Sequence, residues 1–76
     1  MNSRNIIGER LRQARHSSKP RVTQEELAAR LQVMGIHIDR AKIAKIENGT
    51  RPVYDYELAA IAKALKVDVG WFMEGK

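Results

Sequence analysis

The sequence predicts an all-α fold, a compact domain of five short helices, and three observations carry that expectation. Apolar residues recur at three- and four-residue spacing along most of the chain. Capping residues and glycines punctuate those stretches at helix-like intervals. Strand-like alternation is nearly absent, and residues 33–38 are the one ambiguous piece. The 76 residues make one domain, 1–76. A chain of this size buries about 60% of the surface that its unfolded form exposes, which leaves little room for a substrate or effector pocket beside the core.

The first helix is expected over about 4–16, where Ile7, Leu11 and Ala14 fall on one face. Ser17 to Arg21 reads as a loop, and Pro20 biases Lys19 away from helix. Thr23-Gln24-Glu25-Glu26 is a capping box: the Thr23 hydroxyl can accept from the Glu26 amide while the Glu26 carboxylate reaches back. It opens a second helix over about 24–34, with Leu27, Ala28 and Leu31 along one side and Gly35 to turn the chain. Asp39 is a good N-cap for a third helix over about 40–48. Ile43 and Ile46 face inward there, Ile38 acts as a staple before the cap, and Gly49 and Pro52 supply the stop. Asp55 is expected to cap a fourth helix over 55–65 with an apolar stripe of Leu58, Ile61, Ala62 and Leu65. Asp68 opens a last short helix over 69–73 that carries Trp71, Phe72 and Met73.

Charge is divided along the chain. Residues 1–51 hold eleven basic and five acidic side chains; residues 52–76 hold three and four. With a net charge of +5 and a pI near 10, this division fits a surface facing a polyanion and a separate packing or partner surface. Charge alone fits a generally solvated basic surface equally well. There is no cysteine, hence no disulfide and no thiolate zinc site. No apolar run approaches the roughly 20 residues that span a bilayer, and the first residues lead into no secretion-type apolar stretch. The expected setting is cytoplasmic, with no membrane association.

The pattern Leu11-Arg12-x-x-Arg15, Thr23-Gln24-Glu25-Glu26-Leu27-Ala28, Ile43-Ala44-Lys45-Ile46-Glu47-Asn48-Gly49, Leu65-Lys66-Val67 and Trp71-Phe72 resembles the phage-repressor and Cro-like (XRE) helix-turn-helix family. The likeness covers about residues 6–73. It implies a repressor-like domain whose third helix lies in the major groove of double-stranded DNA while the second crosses the backbone. Arg40, Lys42 and Lys45 project from that helix, and the resemblance puts base contacts at Arg40, Ala41 and Lys45. Arginine reads guanine O6 and N7 with two bonds, whereas an alanine can touch only a thymine methyl. The same residues in another chain would be a solvated face; the motif favours readout, most firmly at Arg40.

Thr23 and Gln24 stand where helix amides attract phosphate, and the resemblance gives Gln24 a phosphate contact. Asn48 and Arg51 flank Gly49 and look like a second phosphate clamp. Lys19 and Arg21 are read as a solvated basic loop. The resemblance also makes Arg15 and Glu47 a partly buried structural ion pair. Trp71, Phe72 and Met73 are candidates for a dimer contact, with core filling as the alternative for at least one of them. The chain departs from the family in four places. About five extra residues lie near 33–37, the loop before Thr23 is about two longer, Asp39 adds a negative charge, and Lys66 stands where the family prefers glycine.

Nothing supports an enzyme. His16 and His37 have no orienting acid or metal-ligand spacing, and no glycine-rich phosphate loop occurs. No catalytic residue, metal or cofactor is expected. The function expected is sequence-specific DNA binding by a small transcriptional regulator, as a homodimer on an inverted repeat. The alternative is an antitoxin-like or adaptor module on the same fold, since fold does not fix function; a basic reading helix argues against a pure adaptor. RNA is disfavoured, because no aromatic residue is positioned to stack on exposed bases.

Overall fold

The computed structural model describes residues 6–73. The chain forms α1 (Ile6–Ser17), α2 (Gln24–Val33), α3 (Arg40–Glu47) and α4 (Asp55–Leu65), followed by a 3-10 helix, η1 (Val69–Met73). No strand occurs among the described residues. The expected first turn at residues 4 and 5 lies outside them. None of the helices is long and apolar enough to cross a membrane.

Helix starts follow local chemistry. The capping box closes α2 at both ends of the motif: Glu26 N donates to Thr23 Oγ1 at 3.0 Å, and Thr23 N donates to Glu26 Oε1 at 2.8 Å. Asp39 caps α3, its carboxylate accepting from Lys42 N at 2.9 Å. The start of α4 differs from expectation. Tyr54, not Asp55, is the extended cap residue, and Asp55 is already helical. The Tyr54 side chain gives no cap; its backbone amide instead donates to Glu57 Oε1 at 3.0 Å, so the glutamate three residues on does half the work of a capping box.

Helix stops share one geometry. In α2, α3 and α4 a left-handed residue follows the last turn: Gly35 (φ 85°), Gly49 (φ 83°) and Lys66 (φ 59°). The amide after each returns to the carbonyl five residues back. Ile36 N donates to Leu31 O at 2.9 Å, Thr50 N to Lys45 O at 2.9 Å and Val67 N to Ala62 O at 2.9 Å. These are Schellman stops, in which glycine is favoured because it lacks the Cβ that crowds the carbonyl. At the third stop a lysine occupies that conformation.

The fully buried side chains are Leu11, Leu27, Leu31, Ile43, Ile61 and Phe72, one or two from each element. α3 packs on α1 and α2, α4 packs on α2, and η1 closes against α1 and α4. Ile38 and Ile43, on either side of the Asp39 cap, are both buried, which fixes the angle at which the chain enters α3. The residues expected as a dimer contact split up. Phe72 is 0% exposed and belongs to the core, so it is withdrawn from any surface role. Its ring meets Trp71 edge-on at 5.2 Å, and Arg10 lies over the Trp71 ring at 4.7 Å. Met73 remains exposed, as does Val69. The last element is a 3-10 helix, with Trp71 N bonded to Asp68 O at 3.0 Å. Asp68 Oδ2 accepts from Gly70 N at 3.0 Å, so the aspartate does open it.

Candidate nucleic-acid interface

Helix α3 is short and sharply two-sided. Ile43, Ile46 and Glu47 are buried; Arg40, Ala41, Lys42 and Lys45 are exposed. On a helix of 3.6 residues per turn, Ala41, Lys45 and Asn48 line up along the middle of the outer face. Arg40 falls on one flank of that line and Lys42 on the other. Three cations therefore stand on a surface whose reverse side is locked into the core.

Glu47 does the locking. Arg15 Nε donates to Glu47 Oε2 at 2.6 Å and Arg15 Nη2 to Glu47 Oε1 at 2.9 Å. The two side chains are 7% and 2% exposed. Arg15 Nη1 also donates to Val22 O at 3.0 Å, so one guanidinium joins α1, the loop before α2, and α3. Arg12 stands 3.6 Å from the same carboxylate. Burial by itself would push the Glu47 carboxyl up. The hydrogen bonds from Arg15 and Gln24 and the charges of Arg15 and Arg12 outweigh it and hold the group below its ordinary value. Glu47 is an anion that the fold has fully paired.

Gln24 extends this network to the surface. Its Nε2 donates to Glu47 Oε1 at 3.0 Å, which turns its Oε1 the other way, where Arg40 Nη1 donates to it at 3.4 Å. An acceptor on one side and a donor on the other settle the amide orientation. The route from buried Glu47 through Gln24 to exposed Arg40 was not legible in the sequence. Gln24 and Arg40 are sixteen residues apart, and no local pattern links them.

The loop after α3 is equally constrained. Asn48 Oδ1 accepts from Thr50 N at 3.1 Å and from Thr50 Oγ1 at 2.7 Å. Arg51 Nη1 donates to Pro52 O at 3.0 Å, and its Nη2 meets Glu57 Oε2 at 3.1 Å. Arg51 is thus half of an ion pair that sequence reasoning missed. Glu57 hides in the sequence as a first-turn helix residue. The available signal was its place three after the cap, the acidic position of a capping box. Burial would raise the Glu57 carboxyl, but Arg51 and the Tyr54 amide hold it low, while Glu57 raises Arg51. Asn48 and Arg51 therefore brace the loop that they stand on.

At the start of α2, Thr23 is exposed and Gln24 half-buried. The Thr23 oxygen accepts from Glu26 N, and its hydroxyl proton remains to be donated. Glu25 and Glu26 add negative charge to this helix end. Lys19 and Arg21 lie exposed in the preceding loop. Residues 34–39 form the turn between α2 and α3; Met34 is exposed, as is Val33 at the end of α2, and Ile36 is half-buried against the core. Gly35 thus ends α2 with a left-handed stop before Asp39 caps α3.

No group of acidic, histidine or cysteine side chains suited to a metal ion occurs among the described residues. No curated protein and no solved structure matches the chain. The family model described as a helix-turn-helix domain matches residues 6–70, a span that runs from the start of α1 into η1 and includes α2, its turn and α3. The chain belongs to the helix-turn-helix domain family.

Proposed function

We propose that the protein is a small transcriptional regulator of the repressor-like (XRE) kind, binding double-stranded DNA sequence-specifically with α3 in the major groove. The observation that carries this is the two-sidedness of α3. Arg40, Ala41, Lys42 and Lys45 stand exposed on a helix anchored from behind by Ile43, Ile46 and Glu47. Arg40 and Lys45 read base edges, Ala41 offers a methyl-sized contact, and Lys42 works from the far flank. Arg40 does so from a held position, since Gln24 accepts one of its donors. The remaining guanidinium donors still suit the O6 and N7 of a guanine.

Thr23, Gln24, Asn48 and Arg51 serve the phosphate backbone. Thr23 donates its free hydroxyl proton. Gln24 and Asn48 act mainly by holding neighbours in place. Arg51, neutralised in part by Glu57, adds less electrostatic pull than an unpaired arginine. Exposed cations alone would suit a solvated helix equally well; their place on the third helix of a helix-turn-helix domain is what favours readout.

A single such unit reads few base pairs, so the active form is a homodimer. The exposed Met73 and Val69, beside half-buried Trp71 on η1, supply the apolar contact. The experiment is selection of bound duplexes from a random pool at fixed salt. An inverted repeat with half-sites about 10 bp apart, centre to centre, is expected. Failure to enrich any duplex, with the protein folded, would overturn DNA reading in favour of an adaptor role.

A further inference from the structure

A groove of about 670 Å³ opens where the ends of α1 and α4 meet η1, within the range of about 300–1,000 Å³ that small-molecule sites occupy. Ala14, Leu65, Val67 and Trp71 are its apolar walls, and Lys66 stands exposed at its rim. A second groove of about 410 Å³ shares Ser18, Leu65 and Lys66 with it and adds Lys19 and Arg30. No residue of α3 or of the loop after it lines either groove. The backbone acceptors at this corner are already answered. Ala14 O accepts from Ser18 Oγ at 2.9 Å, Ala62 O from Val67 N at 2.9 Å, Lys63 O from Lys66 N at 3.2 Å and Ala64 O from Arg30 Nη1 at 3.0 Å. The Asp68 carboxylate accepts from Gly70 N at 3.0 Å. The Lys19 and Lys66 ammonium groups have no hydrogen-bond or ion-pair partner among the described residues. Lys19, Arg30 and Lys66 thus line the joined grooves against a single acid, Asp68. Lys66 lines both, and among the described residues it is the one non-glycine in the left-handed region, with φ 59°. Backbone strain of this kind gathers at ligand clamps, and here it sets a lysine where a glycine would serve the helix stop.

We infer that the joined grooves form a binding site for a small aromatic anion, a flat apolar ring system bearing a carboxylate. The ring packs against Leu65, Val67 and Trp71, and the carboxylate meets the Lys66 ammonium, with Lys19 and Arg30 adding positive field. An indole takes ring partners stacked or edge-on, and a positive rim selects an anion over a neutral analogue. A ring-bearing anion is favoured over a bare inorganic one because only the ring takes the apolar walls out of water. A second copy of the chain, itself at net charge +5, is a poor occupant for a basic rim. The site shares no residue with the outer face of α3, so it stands whether or not α3 reads DNA.

The test titrates naphthoate, and separately its uncharged amide naphthamide, into the isotope-labelled chain. Trp71 is the single tryptophan, so its indole N–H signal in the NMR spectrum reports on the groove directly. The variants are Lys66→Gln, Lys19→Gln, the double variant and Lys66→Gly, with melting to confirm folding. Naphthoate should move the indole signal saturably in the parent, and at lower concentration than naphthamide. Each lost ammonium should weaken naphthoate about 1.5- to 5-fold, the range for an exposed ion pair, and leave naphthamide unchanged. Lys66→Gly, which keeps the helix stop, should bind naphthoate as weakly as Lys66→Gln. No saturable shift in the folded parent at millimolar naphthoate would overturn the inference. So would equal binding of naphthoate and naphthamide, or folded double variants that bind naphthoate as the parent does.

Discussion

Arg15–Glu47 and Arg51–Glu57 each join an arginine to a buried glutamate, one behind α3 and one just past its end. Behind α3, both partners are out of water and the pair is bidentate, with Gln24 as a further donor. Past the end of α3, the arginine is 21% exposed and the glutamate 5%. The first pair crosses thirty-two residues and sets where α3 lies against α1 and α2. The second crosses six and sets only how the loop leaves α3 and enters α4. The same chemistry acts at the level of tertiary docking in one place and of loop shape in the other. Burial and sequence separation make the difference.

Removing the carboxylate behind α3 should have the largest effect. Glu47→Ala leaves a buried guanidinium without that counter-charge, at a cost of about 3–5 kcal/mol. In a domain whose whole stability is on the order of 5–15 kcal/mol, this loss should lower the unfolding midpoint by roughly 12–40 °C. A melting curve within error of the parent would show that the pair is not what positions α3. Breaking the second pair should cost less. Arg51→Ala removes hydrogen bonds to a charged group, worth about 1.5–3 kcal/mol, and Glu57 keeps the Tyr54 amide. If Arg51→Ala proves the more destabilising of the two, loop shape matters more than docking and the comparison is inverted.

Acid sharpens the contrast. Both carboxyls are held below their ordinary value of 4.5 in the folded protein. A depressed folded value means that each contributes stability fully above the unfolded value, and that this is lost as pH falls below about 4.5 through the folded value. Stability should therefore decline in acid, and Glu47→Gln should flatten the decline while lowering the neutral plateau. A parent whose unfolding midpoint is level from pH 6 to pH 3 would contradict the pairing. The smallest effect is expected at the stop of α4. Lys66 holds the conformation that Gly35 and Gly49 hold elsewhere. Lys66→Gly should raise stability by up to about 1 kcal/mol, the steric relief being offset in part by a more flexible unfolded chain. A lowered midpoint would mean that the lysine side chain contributes a contact outweighing its backbone cost.

What was legible in the sequence was local. The Thr23 box, the Asp39 cap and the glycine stops are encoded within a few residues, and those ends of α2 and α3 follow from them. The left-handed stop at Lys66 was expected from the resemblance, in which glycine is preferred at that position, and the structure places the lysine in that conformation. The misassigned cap of α4 came from preferring Asp55 by residue type, whereas the carboxylate that satisfies the first amide is Glu57. At the site, exposure of Arg40, Lys42 and Lys45 followed from the period of Ile43 and Ile46. The Glu47–Gln24–Arg40 route and the Arg51–Glu57 pair did not, because each needs the positions of two elements in space. Phe72 was ambiguous for the same reason: an apolar residue near a chain end reads alike whether it fills a core or covers an interface.

The central claim is that α3 reads bases, and that Arg40 is one of its readers. It is tested most directly by titrating Arg40→Ala against the selected duplex and a scrambled one. The account predicts a loss of roughly 1–3 kcal/mol on the selected duplex, relaxed choice at one base position, and nearly unchanged binding to the scrambled sequence. Equal weakening on both duplexes, with the salt slope reduced by about one, would make Arg40 a phosphate contact and contradict the placement of α3 on base edges.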